Sequence, residues 1–400
     1  MKILLATFWE IPHLGGVWNY MNQLKKKLEN RGHEVEIAGY GIKASHICFI
    51  SSGKILTKAQ IGFIPKPVHH YIDATVAFYE NQIDFYKKAM SQMDLEQYDL
   101  IHTQDVLSSY VFGQIKPVGT AHIATLHGCV ADEIKKSFYH GKQDRVSILA
   151  SQYLNQLEHN GASAAYKTIL ANQWMISKLC NEYGVDVNQV TKRHYGYDIQ
   201  KFIEMQAIPS QLSKPADKKL ILYSGRLNDF KGVPYLIESL HKLNTLRNDW
   251  ICWIAGDGPQ GEEYKQLVST MNLSDVVQFI GNRSDIPSLL SQADLLIHPT
   301  LLDNQPLSII EAQISGTAVI ASEVGGVPEM MEHGMTGVLV PPANAEALCE
   351  HIAYLLEHDD YRNNVGVRAR DWAYQHWDPE AEAEDLLGLY AEAITANLNI

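Results

Sequence analysis

Two short stretches carry most of the chemistry that this sequence can do. The first is Tyr223-Ser224-Gly225-Arg226-Leu227-Asn228-Asp229-Phe230-Lys231-Gly232, where an apolar run ends in a glycine loop bearing one Arg and one Lys. A guanidinium can fork onto two phosphate oxygens, and an ammonium acts as a point charge. Taken alone, two solvated loop cations account for the pattern equally well. The second stretch is Asp303-Asn304-Gln305-Pro306-Leu307-Ser308-Ile309-Ile310-Glu311. Pro306 suits the start of a helix, so the backbone N–H groups of Leu307 and Ser308 would face outward as an anion site. Glu311 falls one turn into that helix, where a carboxylate can accept two hydrogen bonds from a cis-diol such as a ribose. The alternative for Glu311 is an acid placed by the helix dipole. Together, two cations, a helix N-terminus and a diol-binding acid suit a sugar nucleotide. No D-x-D triplet or H-E-x-x-H motif occurs, and His69-His70 has no further ligands at metal spacing, so no metal site is expected.

Other features point less directly. Gly256-Asp257-Gly258-Pro259-Gln260-Gly261 fits G-x-G-x-x-G. That fingerprint should follow a domain's first strand and precede an acid about 20 residues on. Here it follows a second strand, and residues 276–284 contain no acid, so a tight turn into a helix is the better reading. His127 follows an apolar run and is either a loop histidine or a functional one. Tyr71, Phe78, Tyr79, Phe85 and Tyr86 could stack on sugar rings, although aromatics at helical spacing more often fill a core.

The elements that must hold these residues have a regular rhythm. Residues 2–7 read as a buried strand, a loop with Gly15-Gly16 follows, and Val17, Tyr20, Met21, Leu24 and Leu28 recur at helical spacing. Gly32 stops that helix ahead of a strand at 34–39, which completes a βαβ unit. Further strands are expected at 100–103, 120–126 and 168–172, with a helix over 69–93. The second half restarts the pattern, with strands at 220–224, 250–255, 276–280, 295–298 and 318–321. A linker-like stretch at 206–219 with Pro209 and Pro215 separates the halves. Ligands of such sheets bind beyond the carboxyl ends of the strands. The expected fold is α/β, with two doubly wound Rossmann-like domains. Domain limits are 1–205, then a linker at 206–219, then 220–375. A C-terminal amphipathic helix within 376–400 is expected to pack back on the first domain.

These residues resemble glycosyltransferase family 4, a group of retaining enzymes with the GT-B fold, in which two such domains face across a cleft. Gly225-Arg226 with Lys231-Gly232 resembles its diphosphate loop, and Gly256-Asp257-Gly258-Pro259 its G-x-G-P turn. Residues 303–311 resemble its E-x7-E signature, and Gly325-Gly326-Val327-Pro328-Glu329 the segment after it. Gly15-Gly16-Val17 and Leu126-His127-Gly128 match in the first half. The resemblance implies transfer of a hexosyl unit from a nucleoside diphosphate sugar, UDP favoured over GDP, to a glycan, lipid-linked or small-molecule acceptor. It implies catalytic roles for His127, Asp303, Arg226 and Lys231. Gly15, Gly16, Gly225, Gly281, Arg283, Leu307, Ser308 and Glu311 would complete donor binding, with Gly281 and Arg283 near the base. No other cofactor is implied. Polysaccharide biosynthesis is the expected setting. Two departures stand out. Asp303 is one methylene shorter than the usual Glu, and Tyr195-Gly196-Tyr197-Asp198 lacks the Asn of the usual N-G-x-D turn. A sugar-nucleotide 2-epimerase or a non-catalytic glycan-binding relative are the alternatives.

Composition bounds the partners. The 400 residues carry a formal net charge of −13, which argues against nucleic acid. Residues 1–200 hold 20 Lys+Arg against 18 Asp+Glu, and residues 201–400 hold 13 against 28. An acidic donor half must therefore build a local positive site against its own charge. In the near-neutral half, Lys25-Lys26-Lys27 and Lys135-Lys136 could approach an anionic membrane, a solvated helix face being the plainer explanation. The five cysteines are scattered, which fits a reducing compartment. No apolar run is long enough to span a bilayer. A cytoplasmic location is expected, with or without peripheral contact at the inner membrane face.

Overall fold

The computed structural model describes residues 1–12, 16–71, 73–140 and 146–398, the side chains of 136–140 excepted. Gly15 lies outside the described residues. The chain divides into two compact units, one comprising Met1–Tyr195 with Glu380–Ile400 and the other Gly196–Pro379.

The first unit runs β1 (Lys2–Glu10), α1 (Gly16–Asn30), β2 (Glu34–Tyr40), β3 (His46–Phe49), β4 (Ile55–Thr57), α2 (Ala74–Met90), β5 (Leu100–Thr103), α3 (Val106–Ile115), β6 (Ala121–Leu126), α4 (Val130–His140), α5 (Ile148–Ala162), β7 (Lys167–Leu170), α6 (Gln173–Tyr183) and β8 (Val190–Lys192). Its sheet has the order β4-β3-β2-β1-β5-β6-β7-β8. Ile3, Leu4, Leu5 and Ala6 are all buried, as a strand covered on both faces requires. The sheet departs from the all-parallel expectation at one edge, where β3 and β4 pair antiparallel. The connections there are too short for the helical crossover that a parallel pair needs. The helix expected over 69–93 is shorter: a single 3-10 turn at Val68–His70 precedes α2, which starts where Asp73 caps Thr75 and Val76.

The second unit runs α7 (Ile199–Gln206), β9 (Lys219–Ser224), α8 (Val233–Leu246), β10 (Trp250–Ala255), α9 (Gly261–Thr270), β11 (Val277–Gly281), α10 (Ile286–Leu290), β12 (Leu295–His298), α11 (Leu307–Ser315), β13 (Ala318–Ser322), β14 (Val338–Val340), α12 (Ala345–Glu357) and α13 (Asp359–His376). Its sheet is parallel throughout, in the order β11-β10-β9-β12-β13-β14. Phe202 of α7 is buried in the core of this unit, so the segment from Gly196 onward belongs here and the first unit ends ahead of residue 205. The last helix, α14 (Pro379–Leu398), buries Leu386, Leu389 and Tyr390 against Ile3 and Leu5 of the first unit. Tyr390 is also hydrogen bonded to His102 Nδ1 at 2.6 Å.

Two expected features serve packing. Phe85 and Tyr86 are fully buried in the core of the first unit, while Phe78 is exposed. The basic cluster on α1 is largely engaged: Lys27 pairs with Glu382 at 2.9 Å, Arg31 with Glu380, and Lys25 with Glu29. Among the described residues, no helix is long and apolar enough to cross a membrane.

Candidate active site

The strand order of the second unit reverses at β9, with β10 on one side and β12 on the other. The loops that leave the carboxyl ends of β9 and β12 therefore diverge and leave a crevice, the usual ligand position in a doubly wound sheet. Both expected stretches lie there, residues 225–232 after β9 and 299–306 after β12. They are stitched together, since Phe230 O accepts from Leu301 N at 2.7 Å and from Thr300 Oγ1 at 3.0 Å.

Glycine is required where these loops touch. A Cβ on Gly256 would meet Gly225 O at 1.9 Å, which explains the G-x-G-P turn by backbone crowding. The first turn of α9 that follows carries Glu262 and Glu263, whose charges meet the helix dipole. Gly325, with φ +58, brings the loop after β13 so close that a Cβ would lie 2.0 Å from Asp303 O. Gly326 N–H donates to that same carbonyl at 3.1 Å.

Asp303 is the hub. Its Oδ2 accepts from Lys231 Nζ at 2.5 Å and from His298 Nε2 at 2.9 Å. Its Oδ1 receives the N–H of Asn304 at 3.2 Å. Burial alone would raise its pKa, but Lys231 and His298 hold the carboxyl well below the usual range. His298 in turn meets Ser308 Oγ through Nδ1 at 3.2 Å. Burial and the neighbouring Lys231 lower the His298 pKa against the opposing pull of Asp303, a balance that favours the neutral ring.

Pro306 is the cap of α11, and Leu307 and Ser308 are its first residues. Their backbone N–H groups have no acceptor among the described residues. Glu311, partly exposed, accepts from Tyr197 Oη at 2.7 Å. Burial pushes its carboxyl up to about 7, although the Tyr197 hydrogen bond works the other way. Arg226 is exposed and forms no ion pair among the described residues. Its carbonyl is pinned by Tyr223 Oη at 2.9 Å, beneath Gly225. Arg283 differs, since its guanidinium forks onto Asp285 at 2.8 and 2.6 Å. Gly281, with φ +68, accepts from Gly256 N–H at 2.8 Å.

Within this unit, the structure thus brings together Gly225, Lys231, Asp303, Leu307 and Ser308, with Glu311 further along the same helix. Gly16 opens α1 in the first unit, and His127 follows β6 there. The His127 ring faces Gln104 Oε1 at 3.1 Å and lies between Tyr20 and Tyr195, with ring centroids at 5.1 and 4.9 Å. Burial pushes its pKa down to about 3, so this ring is neutral at pH 7. The sequence reading missed His298, Tyr197 and Gln104 as partners. The one available signal for His298 was a histidine at the carboxyl end of an otherwise apolar strand.

Two family models match the chain, one described as Glycosyltransferase Family 4 over residues 14–201 and one as Glycosyl transferases group 1 over residues 204–372. The chain belongs to glycosyltransferase family 4. As a member of that family it is a glycosyltransferase, and its two Rossmann-like units have the GT-B fold. Among relatives, it is 27% identical to a D-inositol 3-phosphate glycosyltransferase of Corynebacterium efficiens, over 75% of this chain and 72% of that one. Among solved structures, it resembles sucrose-phosphate synthase from Thermosynechococcus elongatus with a TM-score of 0.78, 23% identity and 99% of each chain covered. It also resembles Anabaena HepE in complex with UDP-glucose, with a TM-score of 0.67, 18% identity and coverage of 99% of this chain and 100% of that one.

Proposed function

We propose that this family 4 glycosyltransferase moves a hexosyl unit from a nucleoside diphosphate sugar, a UDP-sugar in the first instance, to an acceptor hydroxyl, with retention and without a metal. The observation that carries this reading is the pair of N–H groups at Leu307 and Ser308, without an acceptor among the described residues, at the start of a helix whose preceding loop holds Asp303 against Lys231. Arg226 and Lys231 hold the diphosphate, with the start of α11 completing an anion site that needs no metal ion. Glu311, as the carboxylate, accepts from the ribose diol. Asp303, kept ionised by its partners, accepts from a hydroxyl of the transferred sugar. Gly225 lets the phosphates approach the backbone, and Gly281 with the Arg283–Asp285 pair borders the base. On the first unit, Gly16 has no side chain and suits close approach of a phosphate. The neutral ring of His127 suits a sugar hydroxyl. The UDP preference is supported by the likeness to HepE, whose structure holds UDP-glucose.

In the step itself, the bond from the anomeric carbon to the diphosphate oxygen breaks and its electron pair leaves with the phosphate. The acceptor oxygen bonds to the same face of that carbon, and its proton passes to the departing phosphate oxygen. Charge builds on the diphosphate, where Arg226, Lys231 and the α11 N–H groups lower the barrier.

A thermal-shift panel of UDP-glucose, UDP-N-acetylglucosamine and GDP-mannose tests the donor. A ligand at 100 times its Kd stabilises a protein by about 2.7 kcal/mol. A raised Tm with a UDP-sugar, lost in Lys231→Ala, is the expected result. No shift with any member, or an equal shift in the variant, overturns the assignment. An epimer formed from the donor alone would replace transfer by isomerisation.

A further inference from the structure

We propose that His298 is a positioning residue for the transfer reaction, holding the Asp303 carboxylate and the Ser308 hydroxyl in one fixed arrangement through its two ring nitrogens. The proposal rests on the donor-site reading above and adds to it the contact that keeps Asp303 in place once the donor has arrived.

The two contacts fit a neutral ring with its hydrogen on Nε2. Asp303 Oδ2 can only accept, so the His298 Nε2 that faces it at 2.9 Å carries the hydrogen. In the neutral ring Nδ1 then holds a lone pair and accepts from the Ser308 hydroxyl at 3.2 Å. The ring is 2% exposed, so water cannot substitute for either partner. One side chain at the end of β12 thereby fixes an acid on the loop and the first turn of α11.

Lys231 makes this contact matter. Its ammonium pairs with the same Oδ2 that His298 holds. A bound diphosphate would compete for that ammonium, because Lys231 is also a proposed phosphate ligand. As Lys231 turned to the phosphate, its hold on Asp303 would weaken. The carboxylate would then keep the hydrogen bond from His298 and the N–H of Asn304. His298 thus separates two tasks that would otherwise share one lysine. The charged and titratable groups set against Asp303 are Lys231 from the turn before α8, His298 from β12 and Tyr223 from β9. Loss of the His298 donor leaves the Asp303 pKa higher.

The test compares His298→Ala, His298→Gln and His298→Asn in UDP release from UDP-glucose across pH, with Tm measured alongside. A Gln amide can place an N–H where Nε2 stands, whereas an Asn amide reaches only the Nδ1 position. A misplaced catalytic group costs on the order of 100-fold in rate. We expect kcat to fall ~10–100-fold in the Ala and Asn variants with KM changed less than about 3-fold. The acid limb of their rate profiles moves to higher pH, and Gln restores most of both. Wild-type kcat in His298→Ala overturns the proposal. So do equal losses in Gln and Asn that follow Tm and leave the acid limb in place. An inactive Lys231→Ala beside a fully active His298→Ala defeats this proposal alone. Undiminished turnover in Lys231→Ala defeats the donor-site reading and this proposal with it.

Discussion

Asp303 and Glu311 lie on one continuous segment, the loop after β12 and the helix it enters, yet their environments drive them in opposite directions. Both carboxyls suffer the cost of burial. Asp303 meets an ammonium and an imidazole N–H, and stays ionised far below neutral pH. Glu311 meets one phenol, and its carboxyl is pushed up to about 7. Partners, more than depth, decide the charge of a recessed acid. Under the proposed donor placement this gives a division of labour: Asp303 would always be an acceptor beside the reacting sugar, and Glu311 would change between donor and acceptor near neutrality at the ribose.

The largest test of this contrast is Asp303→Asn. The neutral amide leaves Lys231 without its counter-charge and removes the fixed acceptor. UDP release from UDP-glucose should fall by ~100-fold or more. Turnover within a few-fold of wild type would show that the ionised Asp303 is idle.

A smaller effect belongs to Tyr197→Phe. The hydrogen bond from Tyr197 favours the ionised Glu311, so its loss raises the Glu311 pKa further. Donor KM at pH 7 should rise ~3–10-fold and approach the wild-type value as pH rises, since alkali restores the carboxylate. A pH-independent loss would mean that Tyr197 acts only in packing.

The smallest effect is on stability. The folded-state pKa of Glu311 lies above its usual 4.5, so the folded chain holds this proton more tightly than the unfolded one. Its contribution is fully present below about pH 4.5 and is lost as pH rises through about 7. Glu311→Gln does not ionise and escapes that loss. Its Tm relative to wild type should therefore grow by on the order of 2 °C between pH 5 and pH 8. Asp303 has the opposite sign, losing stability as pH falls below the usual carboxylate range. A Tm difference that shrinks with rising pH would reverse the assignment for Glu311.

Much of this was legible in the sequence, for physical reasons. Strands buried on both faces leave unbroken apolar runs such as Ile3–Ala6, so the doubly wound architecture could be read directly. The α11 start was legible because Pro306 precedes it, and Lys231 because a cation in a glycine loop after a strand is a local pattern. Contacts made by sheet topology were not. His298 reaches Asp303 through the turn after β12, and Tyr197 reaches Glu311 across more than a hundred residues, so spacing says nothing of either. Strands β3 and β4 escaped notice because they are short and half exposed. Lys27 suggested a membrane face but faces Glu382, an acid near the far end of the chain.

The claim on which the rest depends is that the loop after β9 and the start of α11 form the diphosphate site. Calorimetric titration of UDP into the wild type and Lys231→Ala at pH 7.5 tests it most directly. The account predicts one UDP per chain and affinity at least ~10-fold weaker in the variant, about 1.4 kcal/mol. Equal affinities would contradict it.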